Sequence, residues 1–137
     1  MLRSPALLSA RNVLLFSLVA EGATGLIVVL APGLVAQLIF GAEVAGAGLA
    51  YGRLLGMTLL ALVIACWPRA DAVPRAALHA VLAYNLLAAL YLVWLGVAHR
   101  PAGILLWPAV VEHALVTLLL AARMRDARPA TAGTFRF

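Results

Sequence analysis

Residues 104–123 read ILLWPAVVEHALVTLLLAAR. Glu112 and His113 are the only acidic or basic side chains before Arg123 closes the run. The stretch has roughly the 20 residues that a helix needs to cross a hydrocarbon core about 30 Å thick. Three more such stretches lie upstream, at 12–30, 46–67 and 76–98. Hydrophobic residues make up 66% of the chain and charged ones 11%, whereas soluble domains run near half apolar and a quarter charged. A chain of 137 residues cannot hide so much apolar surface from water, but a bilayer removes the need. The expected fold is therefore all-α: one integral membrane four-helix bundle, residues 1–137, with spans at 12–30, 46–67, 76–98 and 104–122. Residues 123–137, beginning RMRDARPATAG, read as a polar tail.

Charge sets the expected orientation. The net charge is +5 and every basic residue besides histidine is arginine. Arg3 and Arg11 precede the first span, Arg69 and Arg75 lie between the second and third, and Arg123, Arg125, Arg128 and Arg136 follow the fourth. On the opposite side stands Arg100. The positive-inside rule then places both termini on the cytoplasmic side, with anionic headgroups adding to the attraction. This distribution tracks topology, so nucleic acid is not an expected partner; the bilayer is.

Cys66 is the sole cysteine, which rules out a disulfide within the chain and leaves it a small packing residue. Residues 1–25 have the Arg-then-apolar order of a signal peptide. However, Leu18 occupies a position that needs a small residue for cleavage, and the apolar run continues to Leu30. An uncleaved first span is expected. Pro32, Pro68, Pro74 and Pro101 fall at span ends, where a missing N–H does least harm. Pro108 falls inside the fourth span and is expected to bend it ahead of Glu112. PGLVAQLIFGAE, residues 32–43, is apolar but short, as an interfacial helix would be. Trp67, Trp94 and Trp107 lie near span ends, where an aromatic belt forms. Gly48, Gly52 and Gly56 recur every fourth residue, a spacing that lets helix backbones approach closely in lipid. Packing within the bundle is the expected use of that stripe, and a homo-oligomer interface is the alternative.

The polar residues share a depth. Counting along each helix at about 1.5 Å per residue, Glu21, Asn85, Glu112 and His113 all come near mid-membrane. Arg53 sits somewhat nearer the outer side and can reach inward or snorkel. A charged side chain at a helix centre costs about 2.5–3.5 kcal/mol on insertion scales, so these groups are expected to meet. Ser17, Glu21, Thr24 and Gly25 form a polar and small stripe on the first span, and Tyr84 adjoins Asn85 on the third. Arg53 is the expected bidentate partner of one carboxylate. With one guanidinium for two carboxylates, either His113 takes a proton or one glutamate stays protonated. The expected ligand- or proton-binding residues are Glu21, Arg53, Tyr84, Asn85, Glu112 and His113. Intramembrane ionisable residues are functional candidates by default, though the same set can serve as polar glue between helices. No metal site or catalytic set is expected, because His79 and His99 lie near opposite faces and cannot join His113.

The run APGLVAQLIFGAE followed by AGAGLAYGRLLGMTLLAL resembles small four-helix bacterial membrane proteins of the DoxX-like superfamily. Pro32-Gly33-Leu34, Phe40-Gly41 and Arg53-Leu54-Leu55-Gly56 carry the likeness, which covers the first two spans best. The resemblance implies an accessory or ligand-binding subunit linked to membrane redox complexes, with a quinone as the expected small apolar ligand. LVAEGATG, with a glutamate in the first of four spans, also resembles small multidrug-resistance proteins and implies proton-coupled export through Glu21. That class has little charge bias, unlike this chain. A membrane glutathione-transferase-like enzyme is not supported, since its Arg- and Asn-rich motif is absent. A scaffold subunit in a larger membrane complex is the third expectation.

Overall fold

A computed structural model describes residues 9–69, 73–98 and 102–126. Five helices follow one another: α1 Ala10–Leu30, α2 Pro32–Phe40, α3 Ala47–Cys66, α4 Arg75–Ala98 and α5 Leu106–Asp126. All but α2 are long and apolar enough to cross a membrane. Arg3, Arg100, Arg128 and Arg136 of the charge bias, together with His99, Pro101 and the tail beyond Asp126, lie outside the described residues.

Local chemistry sets the helix ends. Ser9 caps α1 by accepting from the Asn12 N–H at 3.2 Å, satisfying one of the donors that a helix start leaves unpaired. Pro32 opens α2 at its first position, where its fixed φ suits a helix and its missing N–H costs nothing. Gly41 ends α2 in the left-handed conformation, φ 65°, as a C-terminal glycine commonly does. The last carbonyls of α2 are completed from far along the chain: Leu105 N–H donates to Leu38 O at 2.8 Å and Gly103 N–H to Ile39 O at 3.0 Å. A side chain at position 103 would run into the Leu38 carbonyl, so this clasp requires glycine. Because residues 103–105 make it, α5 begins at Leu106, two residues later than the sequence implies. Pro108 then falls in the first turn of α5, where no intrahelical bond is lost. The expected bend ahead of Glu112 loses its cause.

The four long helices run alternately up and down, with α1 packed most closely on α3 and α4 on α5. The α1–α3 crossing is a backbone contact. A Cβ on Gly56 would lie 2.6 Å from Gly25 O and 2.8 Å from Val29 N, and one on Gly52 would lie 2.7 Å from Pro32 Cβ. Gly48 meets only Val44, on the approach to its own helix. Gly52 and Gly56 are thus used inside the bundle, with Pro32 and Gly25 as their respective partners.

Two apolar clusters fill the ends of the bundle. One joins Val13, Leu14 and Leu18 of α1 to Cys66, Ala77, Leu78, Val81, Val116 and Leu120. It shows that the start of α1, the end of α3, the start of α4 and the end of α5 share one side, the side of Arg11, Arg69, Arg75, Arg123 and Arg125. The other joins Leu92, Leu106 and Val110, with Ile39 of α2 against them. Only 17–39% of each spanning stretch is buried, and the outward residues include Phe16, Leu30, Tyr51, Ile64, Leu87 and Leu118. Such a surface needs hydrocarbon around it. The chain is a multi-pass membrane protein.

Candidate functional site

Between the two apolar clusters lies a polar layer built by three helices: Ser17 and Glu21 from α1, Tyr84 and Asn85 from α4, Glu112 and His113 from α5. Ser17, Glu21, Asn85 and His113 are buried. Ser17, Glu21 and Gly25 follow one face of α1 at intervals of four and are all buried, whereas Thr24 points outward. Tyr84 and Asn85 are consecutive, so the first reaches Glu21 while the second reaches Ser17.

Asn85 ties the layer together. Its Nδ2 donates to Ser17 Oγ at 3.1 Å and to Val81 O at 2.9 Å. A carbonyl can only accept, so the Val81 contact fixes which end of the amide is nitrogen. Oδ1 must then face His113 Nδ1, 2.9 Å away, and that nitrogen carries a hydrogen to donate. The Thr117 hydroxyl donates to the His113 carbonyl at 2.8 Å, within α5. The Tyr84 ring meets His113 edge-on, with centroids 5.8 Å apart.

The two glutamates approach the same imidazole. Glu21 Oε2 accepts from the Tyr84 hydroxyl at 2.9 Å, while its Oε1 lies 3.6 Å from His113 Nδ1, beyond hydrogen-bond reach. Glu112 Oε2 stands 3.8 Å from the same nitrogen. Glu21 Oε1 and Glu112 Oε1 are buried with no hydrogen-bond donor among the described residues.

Glu112 also faces outward. It lines a groove of about 760 Å³ between α1 and α5, whose walls include Phe16, Trp107, Val111, Leu115 and Leu119. Phe16, Trp107, Val111 and Leu115 of its walls are exposed apolar side chains, and Glu112 is the acidic residue among them. The groove's volume lies in the range of small-molecule sites, which are mostly apolar with a few placed polar groups.

Arg53 takes no part. It is exposed on α3, and among the described residues no arginine forms an ion pair with either glutamate. Gly56 and Leu59 turn toward α1 and Gly52 toward Pro32 of α2, which leaves Arg53 facing outward with Met57 and Ile64. The expected bidentate pair with a carboxylate is not formed, and the layer is built by three spans instead of four. Replacing Arg53 by Leu is therefore expected to shift stability in detergent by no more than about 0.5 kcal/mol, the usual range for a surface position. Thermal unfolding of the two proteins checks this. A loss of several kcal/mol would place the guanidinium back in the core.

Tyr84, Asn85, Glu21, Glu112 and His113 come together as a unit, and Ser17, placed only on a stripe by sequence, joins them through Asn85. The groove walls carry no sequence signal, since Phe16, Val111 and Leu115 look like any lipid-facing residues. Comparison of the chain with protein-family models, with curated proteins and with solved structures gives no match.

Proposed function

We propose that the chain is a multi-pass protein of the bacterial cytoplasmic membrane, both termini inside, that binds a small apolar molecule carrying a hydrogen-bonding head. The observation that carries this is Glu112, which belongs to the buried polar layer and also lines the groove between α1 and α5. The groove walls would hold a hydrocarbon or ring body while Glu112, backed by His113, receives the head. A quinone carbonyl, which only accepts, has that chemistry toward a protonated Glu112, whose O–H donates to it. The DoxX-like resemblance of residues 32–56 adds support for an accessory subunit of a membrane redox complex. In a proton-coupled exporter the working acid would be Glu112 rather than Glu21, because Glu21 is enclosed and hydrogen-bonded by Tyr84. A scaffold role draws its support from the Ser17–Asn85–His113 chain, which joins three helices with no ligand.

Purification in mild detergent followed by mass spectrometry of co-purifying small molecules and proteins tests the proposal. The native protein is expected to retain an apolar compound with a carbonyl or hydroxyl head. Glu112→Leu, which keeps an apolar wall and removes the polar group, is expected to retain roughly tenfold less, the equivalent of one net hydrogen bond of about 1.5 kcal/mol. A native preparation carrying only bulk lipid, with an unchanged profile in Glu112→Leu, contradicts it.

A further inference from the structure

We infer that Glu21, Glu112 and His113 form a binding site for a divalent transition-metal ion. A donor atom from each lies within 4.8 Å of one from each of the others. The His113 Nδ1 separations of 3.6 Å to Glu21 Oε1 and 3.8 Å to Glu112 Oε2 are close to what two ligands show when each stands about 2.1 Å from one ion. The asparagine oxygen, 2.9 Å from the same nitrogen, is a fourth donor at the edge of the set. Two carboxylate oxygens, an imidazole nitrogen and an amide oxygen suit Mn²⁺, Fe²⁺, Co²⁺ or Zn²⁺, not the soft ions that thiolates select.

A second observation points the same way. Glu21 is 3% exposed, and its Oε1 faces His113 with no hydrogen-bond donor among the described residues. A buried acceptor left without a donor is costly, and a cation in the cluster answers that need. With Arg53 turned outward, the two carboxylates share one imidazole and have no arginine partner among the described residues, and a divalent ion supplies the missing charge. The next layer of contacts is already in place: Tyr84 holds Glu21 Oε2, and Ser17 with Val81 O orients Asn85. Such outer partners orient metal ligands. On binding, the His113 hydrogen moves from Nδ1 to Nε2, its bond to Asn85 Oδ1 is given up, and the freed Nδ1 lone pair takes the ion.

The site does not rest on the apolar-ligand proposal. Metal-free protein in mild detergent, titrated with Co²⁺, is followed by visible ligand-field absorption and by elemental analysis after desalting. The expected result is one Co²⁺ per chain, absent in Glu112→Gln and in His113→Ala. Tyr84→Phe weakens binding by about 10–100-fold, as loss of an outer partner does, and Arg53→Leu leaves it unchanged. Circular dichroism confirms that each variant is folded, and Glu112, only partly buried, is the substitution least disruptive to folding. Folded native protein that takes up no Co²⁺, or uptake that persists in both Glu112→Gln and His113→Ala, overturns the inference. Metal uptake with no co-purifying apolar compound supports it and removes the ligand proposal. A retained compound in a protein that takes up no Co²⁺ does the reverse.

Discussion

Gly56→Ala is expected to destabilise the purified protein by about 3 kcal/mol, the upper part of the usual range for overpacking. The added methyl would lie 2.6 Å from Gly25 O and 2.8 Å from Val29 N. Both are backbone atoms and neither can swing aside, so α1 and α3 must separate along their closest contact. In lipid, helix association depends on such packing, because no hydrophobic force drives helices together there. The paired control is Gly48→Ala, whose methyl meets only the Val44 side chain at 3.3 Å. It is expected to change stability by less than about 0.5 kcal/mol. Thermal unfolding of both variants in one detergent checks the difference. Equal losses would mean that the glycine stripe as a whole faces a partner chain.

Asn85→Leu comes second in expected size, at about 2–3 kcal/mol. Leucine has the same number and branching of side-chain heavy atoms, so the change removes hydrogen bonds without opening a cavity. The Val81 carbonyl keeps its helical partner, but Ser17 Oγ and His113 Nδ1 each lose theirs, and a buried group left unpaired costs about 1–3 kcal/mol. Transmembrane hydrogen bonds are often worth less than that. The larger figure is expected here because Asn85 is fully buried and joins α4 to both α1 and α5. Denaturant or thermal unfolding measures it. A loss below about 0.5 kcal/mol would show that the three helices are held by apolar packing alone.

Much of this was legible in the residues. The spans followed from apolar runs of the right length, and Pro32, Pro68 and Pro74 marked three ends within a residue or two. Depth was legible as well, because each helical residue advances the chain by a fixed rise. That is why Glu21, Asn85 and His113 could be placed in one layer. Depth alone does not give the direction in which a side chain points. Arg53 shares the depth of the layer, but the glycines beside it claim the inner face of α3 and turn it outward. Ser17 was legible only as part of a stripe, since its role depends on where α4 sets Asn85. The start of α5 and the groove were hidden for the same reason. One depends on carbonyls of α2 more than 60 residues earlier, the other on the gap left between α1 and α5.

The central claim is that the buried polar layer belongs to α1, α4 and α5 and excludes the arginine of α3. Two double-mutant cycles on stability, Glu21→Leu with Tyr84→Phe and Glu21→Leu with Arg53→Leu, test it most directly. The first pair should show a coupling of about 0.6 kcal/mol or more, as hydrogen-bonded pairs in membrane proteins do. The second should be additive within about 0.3–0.5 kcal/mol, as for residues that share no contact. Coupling between Glu21 and Arg53, with none between Glu21 and Tyr84, would contradict the arrangement and the site built on it.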